Sequence, residues 1–185
     1  SPKIKTLVER TFPNIKIIER TDNVLFEKES FDFQIPIGSL VKNFPIPQYP
    51  INFNYLTPNP ELIKILREKY RVGNHKKLIG ISWKSMKSRV ENSFEIPLLN
   101  WLPLLRNNKY KFISIQYGDI DPKIFESIRK EGVDIVWDPD IDNFGDLDAA
   151  AAQISALDAV VSVAKLPLAS NFELTPNITY IPLES

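Results

Sequence analysis

The chain of 185 residues has no cysteine and a single histidine. Without cysteine there are no disulfides, zinc–thiolate sites or thiol nucleophiles, and a reducing compartment, the cytoplasm, is the expected location. The one histidine, His75, lies in the polar turn Gly73-Asn-His-Lys76, which gives a hydrolase triad almost no support. Charge of one sign is also missing. The 23 basic and 23 acidic residues cancel, so the basic excess of a nucleic-acid binder is absent and any anion site must be local. No apolar run approaches the roughly 20 residues needed to span a bilayer. Glycine is scarce at six residues, and none is arranged as a dinucleotide fingerprint or a Walker loop. No signal peptide is visible, and a chain starting at Ser1 reads as a cut from a longer protein. Asn177-Ile-Thr179 is an isolated glycosylation sequon of the kind expected by chance.

What is present in excess is proline, 15 residues, concentrated between positions 36 and 60. Phe44, Tyr49, Phe53 and Tyr55 sit among these prolines, and such aromatics distinguish an ordered connector from a disordered tract. Before it, residues 3–11 carry Ile4, Leu7 and Val8 at helical spacing, with Pro13 as the stop. Ile15 to Ile18 reads as a short strand, Phe31 to Pro36 as a strand or extended segment, and Ser39 to Asn43 as a short helix. After the connector, Asn59 and Pro60 form a cap and first turn for a helix that buries Leu62, Ile63, Ile65 and Leu66 and ends near Gly73.

From position 77 the pattern becomes regular. Strands are predicted at 78–83, 111–116, 133–136, 159–163 and 178–182. Helices are predicted at 97–106, 121–131 and 147–157, with a further one at 166–172. This alternation predicts an α/β fold: a Rossmann-like parallel sheet with helices on both faces. Ligands of such sheets bind beyond the carboxyl ends of the strands. Those ends are Ser82-Trp-Lys-Ser85, Gln116-Tyr-Gly-Asp119, Trp137-Asp-Pro-Asp140 and Ser162-Val-Ala-Lys165.

The first of these ends is the best candidate for an anion. Ser82, Ser85 and Ser88 offer hydroxyls, and Lys84, Lys87 and Arg89 offer cations, a combination that suits phosphate. A solvated basic loop beside a sheet accounts for the same residues equally well. In the second, Gly118 allows a backbone to approach a ligand, while Asp119 is read as a helix cap. The acidic run Asp138, Asp140, Asp142, Asp146 and Asp148 alternates like a metal loop but lacks the glycine and glutamate of an EF-hand, so Asp146 is read as a cap for the following helix. Neither a metal nor a cofactor is expected.

Five segments, in order, carry a family resemblance: Gln34-Ile-Pro-Ile-Gly-Ser-Leu40, Gly80-Ile-Ser-Trp-Lys-Ser85, Trp101-Leu-Pro-Leu-Leu105, Phe112-Ile-Ser-Ile-Gln-Tyr-Gly-Asp119 and Leu157-Asp-Ala-Val-Val-Ser-Val163. Together they resemble the glycosyltransferase region of bacterial tetratricopeptide-repeat proteins, relatives of heptosyltransferases and of O-linked N-acetylglucosamine transferases. The resemblance covers residues 1–163 and implies a GT-B arrangement of two Rossmann-like halves. On that basis residues 1–45 are the end of an N-terminal half, 46–75 a connector and helix, and 76–185 the domain that binds a nucleotide-diphosphate sugar. The repeats, and most of the N-terminal half that faces the acceptor, are then absent from this chain. The resemblance puts Lys84 and Ser85 at the donor diphosphate, with Ser82 and Arg89 beside them, and Gln116, Tyr117 and Gly118 at the nucleotide. After Ser162 the family's threonine, histidine and glycine pattern is replaced by Val163-Ala-Lys-Leu-Pro-Leu-Ala-Ser-Asn171, where Lys165 is the remaining cation. Two expectations follow: a metal-independent glycosyltransferase acting on an unidentified protein or glycan acceptor, or a non-catalytic domain that keeps the fold as a binding or scaffold module.

Overall fold

The structure, a computed structural model, describes residues 2–18, 32–39, 56–73, 76–84, 95–118 and 120–163. Four strands, β1 (Lys77–Ser82), β2 (Tyr110–Ser114), β3 (Ile135–Val136) and β4 (Ala159–Ser162), form one sheet in the order β3-β2-β1-β4. All three pairings are parallel. The expected α/β, Rossmann-like parallel sheet is therefore present among the described residues. The strand predicted at 178–182 and the helix at 166–172 lie outside them.

The central strand β1 is buried on both sides from Leu78 onward, which is why its sequence is a continuous apolar run. Gly80 interrupts that run for a packing reason. A Cβ there would sit 2.6 Å from Leu157 Cδ1 and 3.0 Å from Ile115 Cδ1.

The twofold alternation of strand side chains sorts the core into two layers. Leu78, Ile113, Ile115 and Val160 face α1 (Lys5–Thr11), α2 (Pro60–Arg71) and α5 (Leu147–Ser155). Ile79, Ile81, Phe112 and Ile135 face the opposite layer. That layer consists of a 3₁₀ turn (Leu98–Trp101) running into α3 (Leu102–Leu105), and α4 (Lys123–Lys130).

The cap signals of the sequence are realised. Asn59 accepts hydrogen bonds from the amides of Glu61 and Leu62, and Pro60 occupies the first turn of α2. Gly73 follows that helix at a φ of 81°, a left-handed position that favours glycine. Asp146 caps α5 through the amides of Asp148 and Ala149.

Other local expectations are corrected. Residues 15–18 form no strand, and Ile15 and Ile18 are 57% and 43% exposed. This segment, Ile15-Lys16-Ile17-Ile18, pairs with no strand among the described residues. Residues 32–36 belong to no strand and Ile37–Ser39 is a 3₁₀ turn, while residues 40–43 of the expected helix and 46–55 of the expected connector lie outside the described residues. Within α2, Ile65 is 58% exposed, while Tyr70 occupies the inward position instead.

Leu7, Leu66 and Tyr70 share one core cluster with Leu78, so α1 and α2 pack on the same sheet as the segment after residue 76. Two charge clusters fasten them. Arg10 holds Asp148 with two hydrogen bonds of 2.6 and 2.7 Å, joining α1 to the start of α5. Arg67 bonds the Ala156 carbonyl and the Asp158 carboxylate, each at 2.6 Å, and Asp158 in turn accepts the Leu78 amide.

Candidate functional site

The order β3-β2-β1-β4 reverses direction between β1 and β4, which makes their carboxyl ends the switch point of the sheet. Ser82 and Ser162 are register partners there, and the Val163 amide donates to the Ser82 carbonyl at 3.1 Å. Gln116 and Tyr117 follow β2 on the same edge, and Gly118 turns the chain at a φ of 83°. Six of the expected site residues, Ser82, Lys84, Gln116, Tyr117, Gly118 and Ser162, thus lie on one edge. Ser85, Arg89 and Lys165 lie outside the described residues, as do His75 and Asp119.

Gln116 organises this edge. Its Oε1 accepts from the Ser82 hydroxyl (3.1 Å), the Trp83 amide (2.9 Å) and the Lys84 amide (3.0 Å). Its Nε2 donates to the carbonyls of Lys84 (2.8 Å) and Tyr117 (3.0 Å). Three donors converge on one amide atom and two acceptors on the other, which fixes the amide's orientation. Ser82 and Gln116 are both buried, and they bond one another and the loop backbone.

Lys84 is the last described residue of its loop and pairs with Glu95 through a single antiparallel bridge. Its ammonium lies 3.7 Å from the Glu95 carboxylate, both side chains being nearly half exposed. A solvent-exposed pair of this kind contributes about 0–1 kcal/mol. It is weak enough for an anion carrying two or more charges to displace.

The concavity of this edge lies beyond β2 and β3, a cavity of about 210 Å³. Gln116, Tyr117 and Gly118 line it together with Trp137, Asp142 and Asn143, and Ile120, Pro139 and Ile141 complete the lining. Trp137 is 43% exposed and stacks on Phe125, with centroids 5.8 Å apart and planes inclined by 13°. Phe125 meets the buried Trp83 edge-on at 6.0 Å.

Asp138, next to Trp137, is buried and accepts from Lys69 Nζ and the Tyr70 hydroxyl, both at 2.8 Å. Gln153 Nε2 completes the chain by donating to the Tyr70 oxygen at 2.9 Å. Burial pushes the Asp138 carboxyl up, but the bonds from Lys69, Tyr70 and the Asp140 amide outweigh it and hold the group below its ordinary range. The Tyr70 hydroxyl is pushed well above its ordinary value, chiefly by burial.

At the far end, Asp142 Oδ1 accepts the amides of Phe144 (2.9 Å) and Gly145 (2.7 Å). Lys3 caps this turn from the start of the chain. Its ammonium bonds the Phe144 carbonyl at 3.0 Å and lies 3.7 Å from the Phe144 ring centroid.

The acidic run therefore has separate duties: Asp138 and Asp140 bind Lys69, Asp142 closes a turn, Asp146 caps α5 and Asp148 binds Arg10. Among the described residues no group of three or more histidine, aspartate or glutamate side chains is placed to hold a metal ion. Trp137, Asp142 and Asn143 were not picked out as site residues. The available signal was their position, just beyond the strand at 133–136 on the ligand edge. No helix among the described residues is long and apolar enough to cross a membrane.

Comparison with known proteins gives one distant similarity. The chain is 29% identical over 177 aligned residues to Protein FlbA of Caulobacter vibrioides, a match covering 86% of this chain and 29% of that protein. No family model matches the chain, and no solved structure matches it.

Proposed function

We propose that this chain is the nucleotide-binding part of a metal-independent glycosyltransferase that uses a nucleotide-diphosphate sugar. The observation that carries the reading is the cavity beyond β2 and β3, lined by Gln116, Tyr117, Gly118 and a half-exposed tryptophan that stacks on Phe125. At about 210 Å³ it is smaller than the ~300–1,000 Å³ of sites that enclose a whole ligand. It suits one flat moiety, the base, with the diphosphate running along the edge toward β1. Lys84 would leave Glu95 to offset charge on the leaving diphosphate, the role a metal plays elsewhere. The acceptor, a protein or glycan, and the base that activates it belong to a second half supplied by the longer protein. The chain corresponds to 29% of the length of the relative it matches. A cytoplasmic location is part of this proposal.

One observation favours a second reading, a degenerate domain kept as a binding or scaffold module. The amides of Trp83 and Lys84, the natural phosphate donors of this loop, are both committed to Gln116. Calorimetric titration with UDP, GDP, CDP and ADP separates the two readings. The enzyme reading expects binding that weakens about tenfold to a hundredfold in Trp137→Ala, the loss of one stacked base. No heat with any nucleotide at millimolar concentration would leave only the scaffold reading.

A further inference from the structure

Resting on the nucleotide reading above, we infer that the cavity selects a base bearing an exocyclic amino group, as in guanine, cytosine or adenine, over uracil, with Trp137 as its platform and Asp142 as its acceptor.

The platform is prepared in advance. Of the three tryptophans, Trp83 and Trp101 are 2% and 4% exposed, whereas Trp137 is 43% exposed at the cavity. Its plane is set by the near-parallel Phe125, which is itself wedged against Trp83. Little side-chain freedom is left to lose when a flat ring stacks on it. Stacking alone does not tell bases apart, because every base has a π-face.

Discrimination needs a polar group with one sense, and Asp142 supplies it. Both amides that bond Asp142 go to Oδ1, so Oδ2 accepts no hydrogen bond among the described residues. The Gly145 and Phe144 amides hold the carboxyl ionised and below its ordinary range, so it acts only as an acceptor. The glycine at 145 is required for this arrangement, since a Cβ there would collide with Oδ2.

An acceptor of fixed charge favours an amino group and disfavours a carbonyl. Cytosine, adenine and guanine each carry an amino group, whereas uracil places a carbonyl where cytosine has its amine, and its one ring donor, N3–H, is flanked by two carbonyls that would face the same charge. Asn143 can donate or accept, and Gln116 has its amide engaged with the loop, so neither imposes a preference of its own. One hydrogen bond to a charged group corresponds to about a tenfold to hundredfold preference.

The test titrates GDP, CDP, ADP, UDP and IDP against the chain, following the quench of tryptophan emission, with Trp137→Phe to assign the signal. At least one of GDP, CDP and ADP should bind about tenfold or more tightly than UDP. If that base is guanine, IDP, which lacks the amine but keeps the N1–H, should bind about tenfold or more weakly than GDP. Asp142→Asn should erase the preference, because its amide can turn a donor toward a carbonyl while Oδ1 still serves the turn. Gly145→Ala, which displaces Oδ2 without changing charge, should weaken the amino-bearing nucleotide selectively. UDP binding as tightly as the other three would overturn this inference and leave the nucleotide reading intact. So would a preference that survives Asp142→Asn. Failure of all five nucleotides to bind would overturn both.

Discussion

Replacing Gln116 with leucine should be among the most damaging single changes on the sheet edge. Leucine keeps the volume and removes five hydrogen bonds. The Ser82 hydroxyl can rotate toward another partner, but the buried Trp83 amide cannot, and an orphaned backbone donor costs about 1–3 kcal/mol. The Lys84 amide and the Lys84 and Tyr117 carbonyls are only partly buried, so water recovers much of their loss. At roughly 0.5 kcal/mol for each of these, the total is about 3 kcal/mol, a large share of the ~5–15 kcal/mol typical of a domain. With a urea m-value near 2 kcal/mol/M the midpoint should fall by about 1.5 M at constant m. Gln116→Glu is the informative control. Its carboxylate can still accept the three donors but turns an acceptor toward two carbonyls, so it should also destabilise, by a different route. Amide exchange should locate the damage, with Trp83 and Lys84 losing protection before the centre of β1. A Gln116→Leu midpoint within experimental error of wild type would refute the idea that this side chain holds the edge together.

Gly80→Ala should cost about 1–2 kcal/mol by overpacking against Leu157 and Ile115, and thermal melts of Gly80→Ala in a Leu157→Val background should recover part of it. Tyr70→Phe removes a donor from buried Asp138 and an acceptor from Gln153, a loss of about 1–3 kcal/mol near neutral pH measurable by denaturant unfolding. Its pH signature follows from linkage. The folded pKa of Asp138 lies below its unfolded value, so its contribution is present above the unfolded pKa, near 3.9, and is lost as pH falls through the folded value. Removing the Tyr70 bond narrows that gap, so stability should fall less steeply between about pH 5 and pH 2 in Tyr70→Phe than in wild type; an unchanged slope would show that Lys69 and the Asp140 amide set the shift without Tyr70. Asp146→Ala should lose about 1 kcal/mol in the same unfolding assay through the uncapped start of α5.

Much of the sheet was legible because its signals are local. The run Leu78 to Ile81, the strand Phe112 to Ser114 and the segment Ala159 to Ser162 announce buried parallel strands, and Asn59-Pro60 and Asp146 announce helix starts. What failed was local too. Ile15 to Ile18 has the composition of a strand, but composition cannot supply a neighbouring strand. Ile65 reads as inward from its composition, whereas packing against α5 turns the helix so that Tyr70 is buried and Ile65 is exposed. The site was legible as an edge and not as a set of contacts. Gln116 binds atoms 32 to 34 residues away, Tyr70 reaches Asp138 across 68 residues, and Lys3 reaches Phe144 across 141. No spacing rule encodes such pairs. The aspartates between 138 and 148 looked like one motif because they are close in sequence, yet they point to separate partners in the fold.

The same side chain that deprives the β1 loop of free amides also makes the cavity and that loop a single mechanical unit. Gln116 lines the cavity, and through its Nε2 and Oε1 it grips both sides of Lys84. Phe125 provides a second link, touching Trp137 on one side and Trp83, the residue before Lys84, on the other. On the proposed reading, a base on Trp137 would meet groups already fixed relative to the position of a diphosphate, and little ordering cost would remain for the second contact. The arrangement also explains how Lys84 can matter despite its exposed partner. Glu95 holds it by less than about 1 kcal/mol, while the backbone that carries it is held by two hydrogen bonds to a buried amide. The backbone is rigid and the charge is loosely committed. On the nucleotide reading, that combination would let the Lys84 ammonium turn toward a diphosphate without disturbing the backbone that carries it.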